Sequence, residues 1–321
     1  MIKSIYRLFL QFSENKYRKR INRLFTLLEL DKGLFLVDVG AAGQIMPRWK
    51  RAEKFLNYYG FEPDERSRIA LLNQSNGCMS YQLDEKILSN KNKAQEIHFC
   101  KAPMTSSTFP PNRAFVDLFS EADRFDVVSK EKLDATSLDI INLPETDFIK
   151  LDIQGGELNA LHGSSASLKK CFGLEVEVEF LPIYKEQPLY SDITIFLKEH
   201  DFVFIDFLRI CRWERDDIYT NLGQAAWGDA LYLRSPEYVA STYTDKEQIK
   251  KYIAICLLYH KFDLIKRLSV LIEKDSFLSA KFKKALSRFE RRFRKSKWIK
   301  EGLNKFVKLF LFVDEEIHLF H

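Results

Sequence analysis

The stretch Asp147–Phe180, DFIKLDIQGGELNALHGSSASLKKCFGLEVEVEF, decides the fold. DFIKLDI reads as a strand. A glycine pair then opens a helix over GGELNALHGSSASLKK, and FGLEVEVEF returns to strand periodicity. Strand, helix, strand implies a parallel pair joined by a crossover, in a sheet covered on both faces. Yet Glu175, Glu177 and Glu179 alternate with Val176, Val178 and Phe180, so one face of the second strand carries three carboxylates. Buried carboxylates are costly unless paired, hydrogen-bonded or used in chemistry. Those glutamates need a reason.

Working outward, GLFLVDVG reads as a short buried strand, and FLNYYGFEP as a second, followed by a helix over DERSRIALLNQ. CMSYQLD and QEIHFC are further strand candidates joined by a polar turn. APMTSSTFPPNR holds three of the nine prolines and reads as an irregular loop, and Phe125–Ile141 has a mixed pattern. On the carboxyl side, SDITIFLKEH reads as a helix capped by Ser or Asp, and FVFIDFL and DALYLR as strands. Strands separated by helices predict an α/β fold with a doubly wound, Rossmann-like sheet, whose final pair is free to be antiparallel. Beyond Pro236 the pattern is helical. Ile249, Tyr252, Ile253, Cys256 and Leu257 share one helical face, and Leu278, Phe282, Leu286, Phe289 and Phe293 form a second apolar stripe. The expected organisation is a basic amphipathic segment at 1–30, an α/β domain at 31–235 and a basic helical region at 236–321.

The chain has 321 residues and a net charge of +5, unevenly spread. Residues Met1–Phe25 carry seven Lys/Arg against one Glu, and Lys281–Phe310 twelve against two, while Leu311–His321 carry three acids and no Lys/Arg. An acidic body between basic ends points to an anionic partner for those ends, or to solvated helix faces. The cysteines, Cys78, Cys100, Cys171, Cys211 and Cys256, lie far apart with no C-x-x-C pair, which argues against a zinc site or disulfide framework and fits a reducing cytoplasm. No signal-peptide pattern opens the chain, and no run of 18 apolar residues marks a membrane span.

The chemistry begins at VDVGAAGQ, Val37–Gln44. A strand running into Asp38-x-Gly40-x-x-Gly43, with Ala41 between, allows a tight turn beneath a ligand. The dinucleotide pattern is absent, because Ala42 and Ile45 stand at its later glycine positions, and no P-loop lysine follows. In GFEPD, Glu62 ends the second strand 22 residues after Gly40, where a carboxylate accepts hydrogen bonds from ribose hydroxyls. Glycine turn and acid together describe an adenosine pocket without a phosphate cradle, and S-adenosylmethionine (SAM) is the common ligand that fits.

VDVGAAGQ, FEPD, SSTFPPN, DFIKLDIQGGELNAL, EVEFLPIYKEQPLYSDITIFLKEHDF and WGDALYLR, in this order, resemble the FkbM family of SAM-dependent methyltransferases over Leu34–Arg234. The resemblance implies a class I methyltransferase sheet and methylation of a hydroxyl oxygen on a sugar or natural product. Gln44 stands where the family frequently has glycine, and Asp201 replaces a usual glycine before Phe202. Asp can also adopt the left-handed conformation needed there. The basic ends lie outside the family core.

Asp152 is expected at the carboxyl end of the fourth strand, where a carboxylate can orient the cofactor, accept a proton or hold a divalent metal. Metal binding needs several converging oxygens, which Asp152 and Glu157 alone do not supply, so no metal is assigned. Glu157 is expected to favour the helix dipole. Glu177 and Glu179 match the family's E-x-E-F and are expected to line the site, with Asp152 and Glu177 at the chemistry; salt bridging from a covering helix is the competing explanation. Glu175 is expected to be structural. Ser106, Ser107, Asn112, Tyr184 and Gln187 are candidates for binding a polyol acceptor, with turn chemistry as the alternative. Gln224 and Asp229 are further candidates for the same cleft.

Three functions compete. The leading one is O-methylation of a glycan, glycolipid or small hydroxylated metabolite by a cytoplasmic enzyme, peripheral on an anionic membrane surface through its basic ends. RNA methylation is disfavoured because the fourth strand lacks the Asn/Asp-Pro-Pro-aromatic motif. The third is a non-catalytic SAM-binding protein.

Overall fold

The structure is a computed structural model and describes residues 2–72, 77–141, 143–215, 223–272 and 278–311. Seven strands form the main sheet: β1 (Leu34–Val39), β2 (Leu56–Phe61), β3 (Ser80–Asp84), β4 (Phe148–Leu151), β5 (Gly173–Glu179), β6 (Val203–Trp213) and β7 (Gln224–Leu233). Their order is β3-β2-β1-β4-β5-β7-β6. Neighbours from β3 to β5 pair in parallel, and β7 runs antiparallel to both β5 and β6. This is the sheet that the family resemblance implies. The chain order reverses between β1 and β4, and in open α/β sheets ligands bind in the crevice outside the carboxyl ends at such a point.

The longer helices are α1 (Ile2–Leu28), α2 (Glu65–Leu72), α3 (Glu157–His162), α4 (Tyr190–Glu199), α5 (Pro236–Thr242), α6 (Lys246–Leu258), α7 (Phe262–Leu271) and α8 (Ala280–Leu311). Among the described residues, none is long and apolar enough to cross a membrane. Two compact units result: Leu30–Leu271, and Met1–Glu29 with Ile272–His321. The helices of 236–271, grouped from sequence with the C-terminal region, thus belong with the sheet.

The sheet's two faces explain the alternation in β5. Val37, Val39, Ile149, Leu151, Leu174, Val176 and Val178 are buried in one cluster with Ala160, Leu161, Ile193, Phe196 and Leu197 from α3 and α4. Each Val, Leu, Ile or Phe among them contributes roughly 1.5–3 kcal/mol by leaving water. The opposite face carries Asp38, Lys150, Asp152 and the three glutamates. There Phe148 packs against Trp49 and Tyr259, ring centroids 5.0 and 5.2 Å apart. α6 is buried on nearly all sides rather than on one stripe.

Local departures from the sequence reading have local causes. The helix expected after β4 is split at Gly163, where a Cβ would stand 2.2 Å from the Ser89 carbonyl oxygen. Ser164 also turns its hydroxyl back to the Ala160 carbonyl at 2.7 Å, which bends helices. QEIHFC leaves the main sheet and pairs antiparallel with Val127–Leu133. α4 is capped by Asp192, whose carboxylate accepts the Leu189 N–H at 2.8 Å. Asp201 has φ 63°, the left-handed conformation its position requires. The β6–β7 pairing shifts register three times, at Phe204/Asp206, Phe207/Arg209 and Cys211/Arg212.

Candidate active site

A cavity of about 740 Å³ lies at the carboxyl ends of β1, β2, β4 and β5, within the size range of small-molecule sites. Gly40, Ala42 and Gly43 line it after β1, Glu62 after β2, Asp152 and Gln154 after β4, and Glu177 on β5. A wall comes from Ile87–Ser89, Ile97 and Thr105–Ser107. β6 and β7 add Arg209, Trp213 and Trp227.

The β1 turn works differently from the sequence expectation. Gly40 has φ +75°, and a Cβ there would lie 1.8 Å from the Asp152 carbonyl oxygen. Its missing side chain admits the neighbouring strand, not the ligand. The N–H groups of Gly40 and Ala41 both donate to the Phe61 carbonyl, at 3.0 and 3.1 Å, tying the turn to β2. Ala41 is buried and does not line the cavity. Gly43, at φ +90°, has nothing within 4 Å of its would-be Cβ, so the open edge of the turn lies there.

Asp38 is likewise displaced from the expected binding role. It is buried beneath the cavity, accepting from Tyr58 Oη at 2.9 Å and facing Lys150 Nζ at 3.4 Å. Burial raises its pKa, against the lowering pull of Lys150 and Tyr58. Lys150 is the residue sequence reading missed. It stands mid-strand in β4, almost wholly buried, with its ammonium also 3.3 Å from Asp152. Burial works to lower the Lys150 pKa, but Asp152, Asp38 and Glu175 outweigh it and hold the side chain charged. Its only sequence signal is a lysine inside an apolar strand.

Glu62 is buried and faces the cavity. Its Oε1 accepts the Asp64 N–H at 2.9 Å, and Oε2 has no hydrogen-bond partner among the described residues. Burial pushes its pKa up to about 7, with the Asp64 N–H opposing and the Asp64 and Asp38 charges reinforcing the shift. A carboxylate with one oxygen anchored and one open to the cavity can receive ribose hydroxyls. The donor set and the open turn at Gly43 thus fit an adenosine ligand.

At the other end, Gln154 connects the two acids. Its amide donates to Asp152 Oδ1 at 3.3 Å and to Glu177 Oε1. Gln154 has φ 58°, and Ser107 Oγ donates to its carbonyl at 2.6 Å, which secures this unusual turn. Burial raises the Glu177 pKa well above the carboxylate range, reinforced first by Asp152 and then by Glu179.

The three glutamates have three fates. Glu175 accepts from Tyr259 Oη at 2.7 Å and pairs with Arg48 at 3.2 Å, a structural anchor. Glu177 enters the cavity. Glu179 departs from the expectation: it is buried and lies outside the lining, its Oε1 has no hydrogen-bond partner among the described residues, and its pKa is raised by burial and then by Glu157. Glu157 bonds the Ile153 N–H at 2.7 Å, closing the start of α3. Among the described residues, no group of three or more His, Cys, Asp or Glu is arranged to hold a metal.

The proposed acceptor residues also divide. Ser106 and Ser107 line the cavity, yet Ser106 Oγ accepts the Cys100 N–H at 3.1 Å, and Ser107 Oγ accepts the Phe109 N–H at 2.9 Å. Asn112, Tyr184 and Gln187 do not line it. Asn112 donates to the Pro182 carbonyl at 2.9 Å, Tyr184 Oη is 2.9 Å from Gln154 Oε1, and Gln187 accepts the Tyr184 N–H. They brace the loop behind the site. Gln224 and Asp229 are also outside the lining. Instead their strand pair supplies Arg209, whose guanidinium sits 4.7 Å over the Trp227 ring.

A sheet of this order with a cavity at its switch point is the arrangement of a class I methyltransferase. The chain belongs to the FkbM methyltransferase family, whose methyltransferase FkbM domain matches residues 38–204. No curated protein gives a sequence match. Among solved structures, an FkbM methyltransferase from Methylobacillus flagellatus KT is 17% identical at a TM-score of 0.38, covering 63% of this chain and 44% of that one. The match thus spans less than half of that relative. Magnesium protoporphyrin IX methyltransferase from Synechocystis PCC 6803, solved with bound SAM, is 12% identical at 0.33, covering 68% and 80%. A SAM-dependent methyltransferase from Methanosarcina mazei is 11% identical at 0.27, covering 64% and 93%.

Proposed function

We propose that the chain is a SAM-dependent O-methyltransferase acting on a hydroxyl of a glycan, glycolipid or small hydroxylated metabolite. The observation that carries this reading is one cavity holding the Glu62 carboxylate and the Gln154-linked pair of Asp152 and Glu177. Glu62 and the open edge of the turn at Gly43 would hold the adenosine end. Bound SAM supplies an electrophilic methyl group.

The chain's own residues do the rest. Glu177 accepts the proton that the acceptor hydroxyl gives up, and its raised pKa makes its ionised form the stronger base. Asp152, held by Lys150, orients the reacting groups in a site where positioning supplies much of the rate. Trp213, Trp227 and Arg209 form an aromatic and cationic rim fitted to sugar faces and hydroxyls.

The test uses SAM labelled in its methyl group, offered with panels of oligosaccharides, glycolipids, hydroxylated metabolites and RNA. Alkali-stable label in a hydroxylated acceptor, as a methyl ether, is the expected result. Label in RNA, alkali-labile label in a carboxyl ester, or no SAM binding by calorimetry would overturn the reading.

A further inference from the structure

We infer that the basic face of α8 from Lys281 to Trp298 docks the chain on an anionic lipid bilayer. Lys281, Lys284, Arg288, Arg291, Lys295 and Trp298 follow one another at spacings of three and four, which places them in a single row on a helix. All are exposed, and among the described residues none of the five cations forms an ion pair. Lys283 and Arg292 flank the row and are exposed too. Its length is roughly 25 Å at 1.5 Å per residue.

The apolar side of the helix is already occupied. Phe282 and Phe289 are buried, and the Phe289 ring lies 5.4 Å from Tyr17 of α1. Leu278 is buried as well, and Leu286 and Phe293 are half-buried, so the stripe that the sequence shows faces inward. What remains outward is positive charge ending in Trp298, which is 73% exposed. Tryptophan partitions to the headgroup level of bilayers, where its apolar ring and polar N–H both find partners. Lysine and arginine beside it are drawn to anionic headgroups. The row spans roughly 100° of the helix circumference, an arc from which long Lys and Arg side chains can reach one plane together, and from Lys281 to Lys295 no aromatic residue stands in the row for base stacking. Phe312, Asp314, Glu315 and Glu316 lie outside the described residues.

The experiment sediments the full chain with vesicles of phosphatidylcholine alone or mixed with phosphatidylglycerol. Binding is expected on the mixed vesicles at low salt, with little on neutral ones, and weakening as salt screens the charges. Replacing Lys284, Arg288, Arg291 and Lys295 together by Gln should weaken binding roughly 600-fold, at about fivefold per charge. These surface changes should leave unfolding and SAM binding unaltered. Vesicles should shift tryptophan emission to the blue in the parent and not in Trp298→Phe. No binding to anionic vesicles, equal binding to neutral ones, undiminished binding by the four-Gln variant, or displacement from vesicles by tighter-binding single-stranded RNA would each overturn the inference.

Discussion

Gly40 and Asp152 meet backbone against backbone, so closely that a Cβ on the glycine would stand 1.8 Å from the aspartate's carbonyl oxygen. Gly40→Ala must therefore part β1 from β4 as well as strain a positive φ. We expect a loss of about 3 kcal/mol or more. Gly43→Ala meets only the strain of φ +90°, with open space around it, and should cost about 1–2 kcal/mol. Thermal unfolding of the two variants checks this ranking, and equal losses would contradict it.

Glu62 gives a pH dependence with a definite sign. Its folded pKa, about 7, lies above the ordinary 4.5. Its contribution to stability is therefore fully present below 4.5 and lost as pH rises through 7. Relative to Glu62→Gln, the ligand-free parent should lose on the order of 3 kcal/mol across that window. SAM binding should run the other way, strengthening about tenfold per pH unit up to 7 because ribose hydroxyls need the ionised carboxylate. Glu62→Gln should bind weakly with no such slope, as calorimetry across pH would show.

Glu177→Gln should separate activity from stability. Removing the base should lower turnover about 10²-fold or more. The same change relieves a buried carboxyl whose pKa is raised by burial and by Asp152, a group whose stabilising contribution is lost as pH rises. Above neutral pH the variant should melt no lower than the parent. A variant that melts lower and turns over normally would assign Glu177 to structure alone.

Lys150→Met should be severe. It leaves Asp38 and Asp152 without their shared ammonium, and breaking a buried ion pair costs about 3–5 kcal/mol. The loss should shrink in acid, where Asp38 becomes neutral. Denaturant unfolding at two pH values measures both effects, and a pH-independent loss would point to packing instead.

The strands around the site are legible because they are short apolar runs stopped by glycine, and the two-faced environment of β5 follows from its alternation. Side-chain destinations are less legible. Lys150 in FIKL carries no sign of Asp38, more than a hundred positions away in sequence and adjacent only after the crossover brings β4 beside β1. Ser107, Asn112, Tyr184 and Gln187 have the chemistry of a sugar site and equally that of loop bracing. Most of their polar groups are spent on backbone atoms, which residue type alone does not reveal. Arg209 was hidden for a different reason. FVFIDFL ends before it, and only pairing with β7 extends the strand to Trp213.

β6 is also the outer margin of the sheet, an eleven-residue strand whose far side has no neighbouring strand among the described residues. Val203 and Ile210 are exposed along it, the composition on which foreign strands add themselves. The three register shifts against β7 break the flat, regular template that such growth requires. The strand that carries Arg209 and Trp213 to the cavity is thus also one whose irregular pairing disfavours edge-to-edge growth. Straightening this margin to improve its hydrogen bonding should make the chain stickier as well as altering the cavity wall.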